Sequence, residues 1–268
     1  MTYTAQLEFC KDIAREAGAL IVRERNAGMQ REYKHDLELV TSADLKADRL
    51  IADAIHARFP DQLLISEELA PEMAQQNLSS RACWIVDPID GTVNFAHGHN
   101  QSAVSIAFAD AGDIRAGVVY NPFTDEMFWA RQGSGAWLND QRIQVAQETR
   151  LNKAIIATGF PYQKSKLKPL MARLQAVLGH CADIRRLGAA SLDICWVAMG
   201  RLDGYYENLS LWDFAAAQLI AREAGAIYGH FQPVPEGMSE VFYGQNILVA
   251  NQALFPQLLS LLQSADRA

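Results

Sequence analysis

The stretch Trp84-Ile-Val-Asp-Pro-Ile-Asp-Gly-Thr-Val-Asn-Phe95 decides how this chain is read. Its apolar head, Cys83 to Val86, reads as a buried strand, and that strand runs out into two acids, Asp87 and Asp90. Pro88 fixes its own φ and biases Asp87 away from helix. The chain therefore turns between the two aspartates and can aim both at one point. Gly91 allows close backbone approach. Thr92 can open a helix whose free N–H groups bind anions. Acids placed where buried strands run out tend to lie at the edge of a cleft, where layered folds bind ligands.

Two further segments carry acids in similar positions. Leu64-Ile-Ser-Glu-Glu68 is an apolar strand ending in Glu67 and Glu68, and Trp212-Asp213-Phe214 opens a helix. Each piece has a plain alternative. Glu67-Glu68 alone is a solvated loop, Asp87 and Asp90 alone are turn and cap residues, and Asp213 alone is an acid favoured by a helix dipole. The string D-P-I-D-G-T-x-N-F as a unit is far more specific than its parts. Carboxylates converging on one place repel one another and raise their pKa values unless a cation sits between them. Hard oxygen ligands select Mg²⁺, Mn²⁺ or Ca²⁺. A helix N-terminus beside such a cluster suits phosphate. Two metals about 3.5–4 Å apart could activate water and stabilise the leaving oxygen of an in-line displacement.

The rest of the chain frames these segments. It has 268 residues, half of them hydrophobic and 21% charged. That excludes a disordered chain and a small scaffold that needs staples. The net charge of -7, from 24 Lys plus Arg against 31 Asp plus Glu, argues against a broad nucleic-acid footprint, so no direct nucleic-acid binding is expected. No apolar run approaches a membrane span, and no membrane association is expected. Glu8, Lys11, Asp12 and Glu16 stand where a signal peptide needs an uncharged core, so the N-terminus is read as the first helix of the mature protein. The four cysteines form no C-x-x-C, and Cys10, Cys83 and Cys195 lie among apolar residues, which suits reduced thiols in a core. The chain is read as cytoplasmic, and the Asn-x-Ser triplets at Asn77, Asn100 and Asn208 as incidental.

Apolar residues at helical spacing place a helix over residues 4–26, and a second is expected after Thr41 and Ser42 as caps. Strands are expected at Leu63–Ile65, Cys83–Val86, Ser102–Phe108, Ile114–Tyr120 and Met127–Ala130, followed by turns around Gly133, Gly135 and Asn139-Asp140. Further on, strands near 155–158, 182–186, 203–206 and 247–250 alternate with helices near 166–178, 188–199 and 213–224 and a final helix. Such layers suggest an α+β or layered α/β architecture. The polar stretch around residue 150 marks an expected boundary. Residues 1–150 would form an N-terminal α+β subdomain with most of the acids, and 151–268 a C-terminal α/β subdomain supplying Asp213.

The three acidic segments, with Glu223-Ala-Gly225 downstream, resemble the inositol monophosphatase family of Mg²⁺-dependent, lithium-sensitive phosphatases. Ala157-Thr-Gly-Phe-Pro161 and Cys181-Ala-Asp-Ile-Arg-Arg186 are most similar to its bacterial branch, and the resemblance extends over essentially the whole chain. It implies a layered αβαβα sandwich, a homodimer, and two or three Mg²⁺ per active site. By position it implies that Glu67, Asp87 and the Ile89 carbonyl hold a first metal and that Asp87, Asp90 and Asp213 hold a second. A third, weaker metal would use Glu67, with Glu68 an acid standing nearby. Asp44 would pair with Thr92, which positions and activates the attacking water. Gly91 and Thr92 would offer N–H groups to the phosphate. Glu207 and the Gly188-Ala189-Ala190 backbone would face the substrate's hydroxyls, and Lys34 would lie near the phosphate. Taking these six acids (Asp44, Glu67, Glu68, Asp87, Asp90 and Asp213) from a charge of -7 leaves -1, so the surplus reads as a local cation trap. Bound metals reverse the local sign and admit an anionic substrate.

The expected substrate is a small phosphate monoester, with inositol 1-phosphate first, and histidinol phosphate, fructose 1,6-bisphosphate or another sugar phosphate as alternatives. The 3′-phosphoadenosine branch fits less well, because Val93-Asn94 stands where that branch tends to carry Lys-Glu. Some bacterial relatives also bind the transcription machinery, which makes a regulatory contact the alternative of another class. The chain departs from the family pattern at Ala189, where Ser or Thr is frequent. It also departs in the short stretch Asn208-Leu-Ser-Leu211, and in Tyr228-Gly-His-Phe-Gln-Pro-Val-Pro235. All three lie on or near the alcohol side of the expected cleft. His97-Gly-His99 lacks a third ligand for a transition metal. Lys164, Lys166 and Lys168 read as a solvated loop. No G-x-x-x-x-G-K-[ST] is present, which excludes a P-loop nucleotide enzyme.

Overall fold

The computed structural model describes residues 2–28, 30–34, 38–75, 78, 81–161 and 167–267. The first helix, α1 (Thr4–Ala27), buries Leu7, Cys10, Ile13, Ala14, Ala17 and Ile21, the helical-period stripe read from the sequence. A hairpin of β1 (Arg31–Lys34) and β2 (Glu38–Thr41) leads into α2 (Ser42–Arg58). Thr41 caps α2: its hydroxyl accepts from Ala43 N–H at 3.2 Å, and its own N–H donates to Asp44 at 2.8 Å.

A seven-stranded sheet follows in chain order. It comprises β3 (Leu63–Ser66), β4 (Cys83–Asp90), β5 (Ala103–Asp110), β6 (Asp113–Asn121), β7 (Glu126–Arg131), β8 (Ala136–Leu138) and β9 (Gln141–Ile143), with a short α3 (Thr92–Ala96) between β4 and β5. Only β3 and β4 pair in parallel. Every residue of β4 is buried, which is why its apolar head shows no polar alternation.

The second half builds β10 (Ile155–Thr158), α4 (Leu167–Leu178), β11 (Asp183–Arg185), α5 (Ala190–Ala198) and β12 (Gly204–Glu207). It continues with α6 (Leu211–Glu223), β13 (Ile227–His230), β14 (Ile247–Ala250) and α7 (Phe255–Arg267). Its five strands lie in the order β11-β10-β12-β14-β13. The layers follow from what each apolar face covers. α1 and α2 pack on one face of the first sheet against Trp84, Val86 and Phe108. α5 and α6 fill the space between the sheets, and α6 is buried on nearly every side. α4 and α7 pack together on the far face of the second sheet over Ile156, Leu248 and Phe231. The result is an αβαβα sandwich.

Five strands go beyond the sequence reading: β1, β2, β8, β9 and β13. All are short. β8, β9 and β13 also keep half-buried or exposed positions, so they show neither an apolar run nor clean alternation. Cys10, Cys83 and Cys195 are buried free thiols, as expected, and Cys181 is half-buried. No helix among the described residues is long and apolar enough to cross a membrane.

Candidate active site

The pairing of β4 with β5 slips in register between Asp87 and Asp90. Pro88, which has no N–H to give a ladder, lies inside that slip. Past the slip the chain closes on itself: Ile89 N–H donates to Asp87 at 3.0 Å. Asp213 arrives from the first turn of α6, where Ser210 N–H donates to its carboxylate at 2.8 Å. Carboxylate oxygens of Asp87, Asp90 and Asp213 thereby come within 4.8 Å of one another.

Like charges at that spacing in a buried place are costly. Burial pushes the Asp87 carboxyl well above the usual carboxylate range, and Glu67, Asp90 and Asp213 push it further. Asp213 is raised well above that range by burial and then by Asp90. Asp90 is raised by burial against four hydrogen bonds that pull it down. The donor set is all hard oxygen, and it fits a hard divalent cation. These same residues would hold protons if no cation were available.

Asp90 is seated by the other half of the molecule. The N–H groups of Ala190 and Ser191, at the start of α5, donate to it at 3.2 and 2.7 Å, and the Ser191 hydroxyl donates as well. The Ala190 N–H is thus committed to Asp90. Glu67 follows the last residue of β3, and its N–H donates to Val86 at 3.2 Å. The turn it opens is anchored by Asp48 of α2. This buried carboxylate accepts from Glu68 N–H at 3.1 Å, from Leu69 N–H at 3.0 Å and from the Ser66 hydroxyl.

Gly91 sits at φ +85, and a Cβ there would come within 2.8 Å of the Gln101 carbonyl. Only glycine fits that corner. The next residue, Thr92, donates its hydroxyl hydrogen to Asp44 at 3.1 Å and also lies 3.1 Å from the Ile89 carbonyl. Asp44 is fully buried, and burial pushes its carboxyl up to about 6. Asn94 explains the asparagine of the motif. Its amide donates to Gln101 O at 2.8 Å and to Leu187 O at 2.7 Å, tying α3 to the loop before α5.

One cleft of about 190 Å³ is lined by Glu67, Asp87, Ile89, Asp90, Gly91, Thr92, Gly188, Ala189, Ala190, Glu207 and Asp213. Asp44 and Glu68 are not among the residues that line it. Glu68 raises the Asp44 carboxyl further, and Asp44 reaches the cleft through Thr92. Glu207 accepts from the Tyr205 hydroxyl, and burial pushes its carboxyl up to about 7. It lies against the Gly159 backbone, where a Cβ would collide with its carboxylate at 1.9 Å.

Sequence reasoning missed several contributors. Arg186 is the only Arg or Lys among the described residues lining the cleft, and Asp193 lines it as a buried acid. Asp193 carries an Oδ1 without a hydrogen-bond partner, and burial, Asp90 and Glu207 raise its carboxyl. Asp48 and Ser191 act through contacts distant in sequence, and no local pattern marks them; Asn94 stands in the quoted string, but its bond to Leu187 is distant in sequence. The Lys34 side chain, Lys164, Lys166 and Asn77 lie outside the described residues. Lys168, His97 and His99 are exposed, away from the acids.

A model of the inositol monophosphatase family matches residues 4–267. A protein of Vibrio cholerae named Nus factor SuhB is 41% identical over 222 residues, covering 81% of this chain and 82% of that protein. An inositol-1-monophosphatase of Caulobacter vibrioides is 39% identical over 241 residues, covering 88% and 92%. Among solved structures, the extragenic suppressor protein suhB of Bartonella henselae superposes with a TM-score of 0.87 at 36% identity, over 97% of this chain and 99% of that one.

Proposed function

The chain belongs to the inositol monophosphatase family, and from that premise we propose that it is a Mg²⁺-dependent phosphomonoesterase acting on small polyol phosphates, inositol 1-phosphate first among them. The observation that carries this reading is the convergence of Asp87, Asp90 and Asp213 beside the hydrogen-bonded pair Thr92–Asp44 in one cleft. Glu67, Asp87 and the Ile89 carbonyl would hold one Mg²⁺, Asp87, Asp90 and Asp213 a second, and Glu67 a third. Bound there, Mg²⁺ supplies Lewis acidity that activates water and offsets charge on the phosphoryl and leaving oxygens.

The chain's own residues do the positioning. The Gly91 and Thr92 N–H groups face the phosphate at the start of α3. The Thr92 hydroxyl, donating to Asp44, keeps a lone pair for a hydrogen of the attacking water. As the water attacks phosphorus, its proton passes to Thr92 and the Thr92 proton to Asp44. A carboxyl pushed up to about 6 suits a base working near neutrality. Glu207, Arg186 and the Gly188-Ala189 backbone meet the alcohol. Direct attack by water leaves no phosphoenzyme. Lithium sensitivity, a homodimer and a cytoplasmic location go with this reading.

The test is phosphate release from a panel of inositol, histidinol and sugar phosphates, with Mg²⁺ and with or without Li⁺. Release that needs Mg²⁺ and falls with Li⁺ is expected; no release from any member would sink the reading. A second role, contact with the transcription machinery, is favoured by the name Nus factor SuhB carried by a relative 41% identical to this chain. Co-purification with RNA polymerase or antitermination factors tests it, and an empty result leaves catalysis alone.

A further inference from the structure

Resting on that phosphatase reading, we propose that a second hollow beside the catalytic cleft receives a planar ring on the leaving alcohol, so that phosphate monoesters whose alcohol carries an aromatic or heteroaromatic group are substrates too, hydrolysed faster than the same esters without the ring. The hollow has a volume of about 440 Å³ and meets the cleft at Gly159, Phe160 and Glu207. The cleft itself holds about 190 Å³, enough for the phosphate and a small polyol. An alcohol that extends past Glu207 enters the hollow.

The walls set the chemistry. Phe160, Leu170, Leu174, Phe231 and Tyr243 give apolar and aromatic faces. Leu170 and Leu174 come from α4 and are half-buried, while Leu167, Met171 and Leu178 of the same helix are exposed and Val177 alone is fully buried. Rings bury large area at low conformational cost and stack on such surfaces. Arg173 is the one Arg or Lys among the described residues of the wall. It is already paired with Asp266 at 2.5 Å and lies over the Phe231 ring at 4.7 Å. Among the described residues the wall therefore offers its charge to Asp266 and its faces to an apolar group.

The frame is rigid. Asn246 N–H donates to the Asn208 side chain at 2.6 Å, and Leu209 N–H donates to Gly244 O at 2.7 Å. These bonds stitch the segment after β12 to the segment before β14 along the rim of the hollow. Of these segments Asn208 and Phe231 line the hollow itself, and a site formed in advance loses little free energy on binding.

A matched pair of esters tests this: 4-phenylbutyl phosphate against butyl phosphate, with Mg²⁺. For the native enzyme kcat/KM is expected to favour the ring by about 10-fold or more, the usual range for filling an apolar pocket. Leu170→Trp, which narrows the hollow, should cut that ratio at least about 3-fold and lower kcat/KM for the ring ester more than for butyl phosphate. A native ratio of one, or a ratio that Leu170→Trp leaves unchanged, overturns the proposal. Binding of 4-phenylbutanol alone, followed by NMR without metal, separates this claim from the phosphatase reading. Shifts at Phe160 and Tyr243 that shrink in Leu170→Trp support the hollow even if neither ester is hydrolysed, and no shift in the native protein refutes it.

Discussion

The backbone N–H of Ser191 donates to the Asp90 carboxylate at 2.7 Å, so an acid carried by the first sheet is seated on the first turn of a helix that packs against the second. The cleft is thus built across both halves, and the Ser191 hydroxyl adds a second bond to the same oxygen. Ser191→Ala keeps the backbone bond and loses the hydroxyl. A hydrogen bond to a charged group contributes about 1.5–3 kcal/mol. The half-saturating Mg²⁺ concentration should therefore rise about 10-fold, and the melting temperature should fall by several degrees, at roughly 2–4 °C per kcal/mol. Kinetics at graded Mg²⁺ check this, and an unchanged Mg²⁺ requirement would count against Asp90 as a ligand.

Thr92 and Asp44 lie 48 residues apart and meet at 3.1 Å. If they relay the water's proton, Thr92→Ala should lower kcat by about 10²–10⁴-fold, the range for a positioned acid–base group. Thr92→Ser keeps the hydroxyl and should retain most activity. The half-saturating Mg²⁺ concentration should stay put in both. Thr92→Ala at native kcat would remove the relay from the mechanism.

Asp48 gathers the Glu68 and Leu69 N–H groups and the Ser66 hydroxyl behind Glu67. Asp48→Ala removes the acceptor of the buried Ser66 hydroxyl, at about 1–3 kcal/mol, and of the part-buried Glu68 and Leu69 N–H groups, which water can partly satisfy. A lower melting temperature and a raised Mg²⁺ requirement are expected together, with Asp48→Asn partly restoring both. A fall in stability alone would make Asp48 a fold residue with no say over Glu67.

How much of this could be read beforehand differs from residue to residue. Asp87, Asp90, Glu67 and Asp213 were legible because a strand or helix end is a local pattern, and Pro88 and Gly91 fix the turn between them. The long buried strands announced themselves by unbroken apolar runs. Asp48 and Ser191 were not legible, since each acts on groups 18 or more residues away, and the motif's Asn94 gave no sign of its bond to Leu187. Arg186 was quoted only as part of a resemblance, and its place in the cleft depends on how β11 is laid beside β10. β8 and the edge strand β9 escaped because Gly133, Gly135 and Asn139 dominate their neighbourhood and suggest turns alone.

The acid cluster makes stability depend jointly on pH and metal. Asp44, Asp87, Asp90 and Asp213 all have folded pKa values raised above their unfolded ones. Such a group stabilises the fold fully below its unfolded pKa and loses that contribution as pH rises through its folded value. For Asp44 the loss spans the interval from an unfolded value of roughly 4 to a folded value of about 6, and the cluster carries it higher. Mg²⁺ competes with these protons. Its effect on the melting temperature should therefore be greater at pH 8 than at pH 6, by at least about 3 °C, given roughly 2–4 °C per kcal/mol for a chain of this size. Scanning fluorimetry in EDTA and in Mg²⁺ at both pH values measures it; an equal effect would mean that no protons are displaced.

The most direct measurement is phosphate release from inositol 1-phosphate by the native protein and by Asp213→Asn, each titrated with Mg²⁺ from a chelated start. The native protein should show no release in chelator and a saturable rise with Mg²⁺. The variant should stay at background while keeping its circular dichroism. Release that ignores Mg²⁺, or an Asp213→Asn protein as active as the native one, would contradict a metal-dependent phosphatase built on these carboxylates.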